Sequence, residues 1–157
     1  MAASPELSSD AQAAASGLCG KVLYIEDAET SMAVVEGMMR HFPGVELLQA
    51  TTGRQGVEMV RRERPDLVLL DMHLPDIPGL EVVRILNQDI ADHGLRVTIL
   101  TGDKLSMDII KAMSLGAFEY WVKPVELRVL ASGLRRALGG RGADPSRRLQ
   151  TRGLHAR

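Results

Sequence analysis

Residues 67–79 read LVLLDMHLPDIPG. Four apolar residues run straight into Asp71, and Pro75, Pro78 and Gly79 then stop regular structure. A short, wholly apolar run bounded by turn residues fits a strand buried on both faces of a parallel sheet. A carboxylate is costly in such a strand unless it stands at the end with partners. In open α/β sheets ligands bind beyond the C-terminal ends of the strands. Asp71 is therefore the first candidate for chemistry.

The pattern repeats on either side. Strands are predicted at Lys21–Asp27 (KVLYIED), Val45–Ala50, Leu67–Asp71, Arg96–Thr101 (RVTILT) and Ala117–Val122. The second carries Glu46 and Gln49, which suits a sheet edge. Helices are predicted between and after them. Ala28–His41 has Val34, Val35, Met38, Met39 and Phe42 at helical spacing, and Pro43–Gly44 ends it. Thr52–Gly53 opens the next, to about Arg64, and Pro65 closes it. Gly79–Ile90 carries Val82, Leu86 and Ile90 on one stripe; Asp103–Gly116 turns Leu105, Ile109, Ala112 and Met113 inward. Pro124 is expected in the first turn of the last helix, whose stripe is Leu127, Leu130, Leu134 and Leu138. Five strand–helix units with short links predict right-handed crossovers and a parallel sheet covered by helices on both faces.

At 157 residues, 45% apolar and 25% charged, the chain suits one soluble domain with a full core. The net charge of −1 gives no overall pull toward nucleic acid or anionic membrane. Residues 1–20 are mostly small and polar and are expected to form a flexible tail. Residues 139–157 carry five Arg against one Asp, with no apolar periodicity, and are expected to form a basic flexible tail. That leaves 21–138 as the folded unit, with no room for a DNA-binding domain. The single Cys19 suits a reducing cytoplasm. No Lys or Arg precedes Lys21, which argues against a signal peptide, and no apolar run approaches the ~18 residues of a membrane span.

In this architecture the ends of strands one, three, four and five share one sheet edge. They carry Glu26 and Asp27, Asp71, Thr101 and Lys123. Clustered carboxylates repel one another and raise each other's pKa, and a divalent cation resolves this. Hard oxygen ligands with open water positions suit Mg²⁺. An Asp can act as a nucleophile toward phosphorus, and phosphoryl transfer needs mainly positioning and neutralisation of charge. Lys123 supplies positive charge, and the Thr101 hydroxyl can bond a phosphoryl oxygen. Each residue alone has an ordinary explanation: Asp27 as a helix cap, Asp71 as a turn cap, Lys123 as a loop residue. Only the joint placement at four strand ends is informative.

The motifs VLYIED, LVLLDMHLPDIPG, ILTG and GAFEYWVKP resemble those of receiver domains of bacterial two-component response regulators, over about Lys21–Leu138. The spacings agree: 44 residues from Asp27 to Asp71, 30 to Thr101 and 22 to Lys123. The resemblance implies a flavodoxin-like (βα)5 fold with a five-stranded parallel sheet of order 2-1-3-4-5. It implies Asp71 as phosphoacceptor, with Mg²⁺ (or Mn²⁺) held by Asp27, Asp71 and the backbone carbonyl of His73, and by Glu26 through water. Lys123 would pair with the phosphoryl group, with a cis bond to Pro124. Thr101 and Tyr120 would be a switch pair altering the face of the fourth helix, fifth strand and fifth helix. Glu26 stands where Asp is commoner. Gly102 would leave the pocket open to a donor, and His73 and Asp103 would tune how long the acyl phosphate lasts. Trp121 reads equally as a partner anchor or as packing on the sheet edge.

The implied protein is a stand-alone cytoplasmic switch rather than a conventional enzyme. Its phosphate would come from a sensor histidine kinase or a histidine phosphotransfer protein. It would then engage a downstream protein on the switched face, with homodimerisation left open. The rivals are a receiver from a hybrid histidine kinase, a phosphorylation-independent binding module, and a Mg²⁺-dependent phosphohydrolase. The last typically needs a carboxylate two residues after the nucleophile, where this chain has His73.

Overall fold

Five strands lie parallel in the order β2-β1-β3-β4-β5, in a computed structural model that describes residues 17–102 and 105–139. They are β1 Gly20–Ile25, β2 Val45–Ala50, β3 Leu67–Asp71, β4 Arg96–Thr101 and β5 Glu119–Val122. The helices are α1 Glu29–Met39, α2 Gly53–Glu63, α3 Gly79–His93, α4 Met107–Ser114 and α5 Leu127–Leu138. This is the doubly wound, flavodoxin-like arrangement expected from the sequence, and β2 takes the edge position.

Period-2 alternation sorts each inner strand between two layers. Tyr24, Leu67, Leu69 and Leu100 face α1 and α5, while Leu23, Val68, Leu70 and Ile99 face α2, α3 and α4. All five residues of β3 are buried, which is why the run reads as continuously apolar. On β2 only Val45 and Ala50 are buried, and Glu46 and Gln49 face solvent. The core reaches back to Leu18 and β1 to Gly20, so the folded unit begins inside the stretch 1–20 expected to be a tail; the rest of that tail and the basic tail beyond residue 139 lie outside the described residues.

Several sequence expectations need correction. The first strand stops at Ile25, so Glu26 and Asp27 lie in the loop beyond it. Helix α1 buries Met32, Val35 and Met39, and Val34 points outward. Helix α3 continues to His93 and ends on Gly94 in the left-handed region at φ 66. Helix α4 starts at Met107, capped by the Ser106 side chain, which accepts from the Ile109 N–H. Only Ile109 and Ala112 of its expected inward stripe are buried; Leu105 precedes the helix at 60% exposure, and Met113 is exposed. Pro124 is not in the first turn of α5. The chain turns through a cis Lys123–Pro124 bond, and the helix begins three residues later behind Glu126. The four leucines expected to face inward from α5 are all buried. No helix among the described residues is long and apolar enough to cross a membrane.

Trp121 is 5% exposed and packs on α5, where Gly133 leaves it room; a Cβ there would overlap the indole Cζ2 and stand 2.8 Å from Cη2. Its Nε1 donates to Glu119 Oε1 (3.2 Å), which also receives Arg136 Nη2 at 2.9 Å. Trp121 is thus packing at the sheet edge rather than a surface anchor.

Candidate functional site

Parallel register brings four strand ends to one edge. Ile25 lies opposite Leu70, Asp71 opposite Leu100, and Thr101 opposite Val122. The chain leaves β1, β3 and β5 carrying charge just beyond the apolar ladder, so the charges meet at the rim instead of inside the core.

Glu26 is buried, and its backbone N–H extends the ladder by donating to Ala50 O. Its Oε1 accepts from Lys123 Nζ at 2.5 Å and from the Tyr24 hydroxyl at 3.2 Å. Its Oε2 accepts from the Ala28 N–H at 3.4 Å. Asp71, also buried, places Oδ1 3.4 Å from Lys123 Nζ and 3.3 Å from the His73 N–H, which donates to it. Asp27 is exposed at the mouth. One oxygen from each of Glu26, Asp27 and Asp71 falls within a 4.8 Å span. Lys123 is held in place by its own backbone N–H, which donates to Thr101 O at 2.7 Å.

Among the described residues one cation, Lys123, faces three carboxylates, which leaves the cluster short of positive charge. Burial pushes the Asp71 carboxyl up to about 6, the adjacent Glu26 adds to that, and Lys123 offsets only part. Burial also raises Glu26, but hydrogen bonds from the Asp71 carboxyl and Lys123 outweigh it and hold Glu26 at about 2. Two close carboxylates thus separate into one that stays charged and one that resists charging. Burial, then the charge of Glu26, raises the Tyr24 hydroxyl above its ordinary value, so it stays a donor.

The donor set fits a small hard divalent cation: three convergent carboxylates, two of them buried, with one exposed side left for water. Thr101 is buried at the end of β4. Gly102 faces open space, where a Cβ would meet nothing within 4 Å. His73 is exposed, and its backbone joins the site through the bond to Asp71. Tyr120 is 37% exposed and lies opposite Ile99, two residues before Thr101 on β4. Asp103 lies outside the described residues.

Sequence reasoning missed Tyr24. Its signal was present, since residues two apart on a strand share a face and Tyr24 stands two before Glu26. Tyr24→Phe should cost about 1 kcal/mol, below the usual range for a hydrogen bond to a charged group, because Lys123 still serves the same oxygen. Urea unfolding without metal checks this, and an unchanged midpoint would show that the hydroxyl contributes nothing.

A family profile described as the response regulator receiver domain matches residues 22–135. Protein PilH of Pseudomonas aeruginosa is 30% identical over 120 residues, covering 76% of this chain and 98% of PilH. The transcriptional regulatory protein AfsQ1 of Streptomyces coelicolor is 33% identical over 117 residues, covering 74% of this chain. The chain spans nearly all of PilH but about half of AfsQ1, at 50%, and of the DNA-binding response regulator MtrA, at 55–56%. Among solved structures, the receiver domain of sensor histidine kinase PA1611 from Pseudomonas aeruginosa, with a magnesium ion coordinated in its active site cleft, is 28% identical. Its TM-score is 0.68, covering 78% of this chain and 99% of that one. The Vibrio cholerae chemotaxis protein CheY4 shares the fold at 23% identity and TM-score 0.68, covering 76% and 99%. The doubly wound sheet with an acidic cluster at its strand ends thus defines a signalling domain of two-component systems. This chain belongs to the response regulator receiver domain family.

Proposed function

We propose that the chain is a phosphorylation switch in which Asp71 accepts a phosphoryl group from a phosphohistidine donor. The observation that carries this is the Lys123 ammonium standing between Glu26 and Asp71, in a cluster whose third acid, Asp27, opens to solvent. Asp27, Asp71 and the His73 carbonyl would hold Mg²⁺, with Glu26 engaged through water; Mn²⁺ would suit the same oxygens. When bound, the cation neutralises charge on the transferring phosphoryl oxygens. The chain's residues do the rest. An Asp71 oxygen attacks phosphorus, forming the new P–O bond as the bond to the donor breaks and the donor keeps its electron pair. Lys123 turns from the acids toward the added dianion. Thr101 bonds a phosphoryl oxygen, and Tyr120 moves inward from its exposed position. His73, Gly102 and Asp103 shape access and the lifetime of the acyl phosphate.

The donor would be a sensor histidine kinase or a histidine phosphotransfer protein, and the readout a downstream protein on the α4-β5-α5 face. The near-complete coverage of PilH supports a stand-alone receiver, whose folded unit takes in Leu18 and Gly20 ahead of the expected start at Lys21. The 28% identity to a receiver from a sensor histidine kinase supports a second reading, a receiver within a longer kinase.

Incubation with acetyl phosphate and Mg²⁺ should add one phosphoryl group by intact mass, and EDTA should abolish the gain. Modification that persists in EDTA, or that maps away from Asp71, would overturn the assignment.

A further inference from the structure

The loop between β3 and α3 carries a contact that the phosphoryl chemistry does not use. Asp76 reaches across to the start of α2. Its Oδ1 accepts from the Gly53 N–H at 2.8 Å and its Oδ2 from the Arg54 N–H at 2.9 Å, with Arg54 Nε 4.0 Å away. The next N–H of α2, from Gln55, goes to Thr52 Oγ1 at 3.0 Å. A helix usually satisfies these orphan donors from the residue just before it. Here two of the three are satisfied by a carboxylate 22 and 23 positions further along the chain.

The same loop is closed at its base. The Gly79 N–H donates to Met72 O at 3.0 Å, and a Cβ at Gly79 would stand 2.7 Å from Met72 Cα. The loop is thus pinned at three points: at its base by Gly79, at its tip by Asp76, and at its inner side where the His73 N–H donates to Asp71. Ile77 seals the tip against α2, where a Cβ at Gly53 would lie 2.6 Å from Ile77 Cγ1. Of these pins only the Asp76 strap ties the loop to another element through charge-assisted bonds, the stronger kind. Burial raises the Asp76 carboxyl, but the Arg54 and Gly53 N–H groups outweigh this and hold it below the usual carboxylate value.

We propose that Asp76 is a positioning residue for the cation site: by strapping the loop tip to the N-terminus of α2, it fixes the His73 backbone where its carbonyl can join Asp27 and Asp71. The inference rests on the reading of His73 as a carbonyl ligand. It adds the residue that holds that carbonyl in place. Ligands oriented by outer partners lose affinity when those partners go, typically 10- to 100-fold.

The test uses the full chain, with Mg²⁺ alone as the probe. Asp76→Ala should raise the Mg²⁺ concentration for half-saturation by about tenfold, measured by titration calorimetry. Asp76→Asn, whose amide oxygen keeps one acceptor, should fall between Ala and wild type. At saturating Mg²⁺ the phosphorylation rate with acetyl phosphate should return to within about twofold of wild type, because the strap positions a ligand and touches no reacting atom. Without metal, amide exchange at Met72, His73 and Leu74 should speed up in both variants relative to β4. A folded Asp76→Ala with unchanged half-saturation would reduce Asp76 to a helix cap and overturn the proposal. If Asp76→Ala fails to fold, unchanged half-saturation in Asp76→Asn overturns it equally. A flat wild-type titration overturns the cation-site reading itself, and the proposal with it.

Discussion

Asp71→Asn should lose all phosphoryl uptake and yet, without metal, resist urea better than wild type at pH 7.5. The first result follows because an amide cannot form the acyl phosphate. The second follows from electrostatics. The folded Asp71 carboxyl sits at about 6, against ~3.9 for an unfolded Asp. Between these values the native state holds more protons than the unfolded chain, so stability falls as pH rises from ~4 to ~6 and is flat above. Removing the charge therefore stabilises above pH 6, by up to about 3 kcal/mol, and has no such effect near pH 4. Glu26 contributes the opposite dependence: its folded value of about 2 gives stability that is lost as pH falls below ~4.5. That loss at acid pH should occur in both proteins. Added Mg²⁺ should reverse the ranking, raising the wild-type midpoint more than that of the variant. A variant less stable than wild type at pH 7.5 in EDTA would contradict the uncompensated-charge account.

Trp121→Ala should be the most destabilising single truncation outside the sheet centre, at about 3–5 kcal/mol. Domains of this kind hold only about 5–15 kcal/mol in total. The indole is almost fully enclosed, rests on the backbone of α5 at Gly133, and donates to the Glu119–Arg136 pair. Truncation opens a cavity and strands the Glu119 contact at once. The neighbouring Tyr120→Ala is the control. That side chain is 37% exposed, so its loss should cost less than about 1 kcal/mol. Equilibrium urea unfolding of the two variants checks both. If Trp121→Ala cost no more than Tyr120→Ala, the indole would belong to a binding surface instead of the core.

The contrast between these neighbours marks what the sequence could tell. LVLLD, RVTILT and the leucine stripe of the last helix were readable because burial on both faces, or on one continuous stripe, leaves an unbroken apolar signal. The acids and the lysine were readable because they interrupt that signal at a strand end. Trp121 was ambiguous: nothing local says that Gly133, twelve residues on, opens a seat for it. Leu105 and Met113 look inward-facing in the sequence although both are exposed, because an apolar residue at helical spacing looks the same whether or not a neighbour covers it. The cis bond at Pro124 moved the start of α5 beyond the position a helix-initiating proline suggests. Asp76 was invisible because capping rules look one residue ahead of a helix, and its helix lies more than twenty residues behind it.

The ion pair between Glu26 and Lys123 joins residues 97 positions apart. Most of the fold lies between the acids of the first loop and this lysine, so chain connectivity sets an order of assembly. A nascent chain folds from its N-terminus and exposes Glu26, Asp27 and Asp71 long before their counter-charge emerges. Contacts of such sequence separation form late, after the loop-closure entropy between them has been met. Closure of the acid–lysine cluster therefore waits on docking of the final strand. A chain ending between Asp71 and Lys123 would keep the three acids without the ammonium that pairs with them.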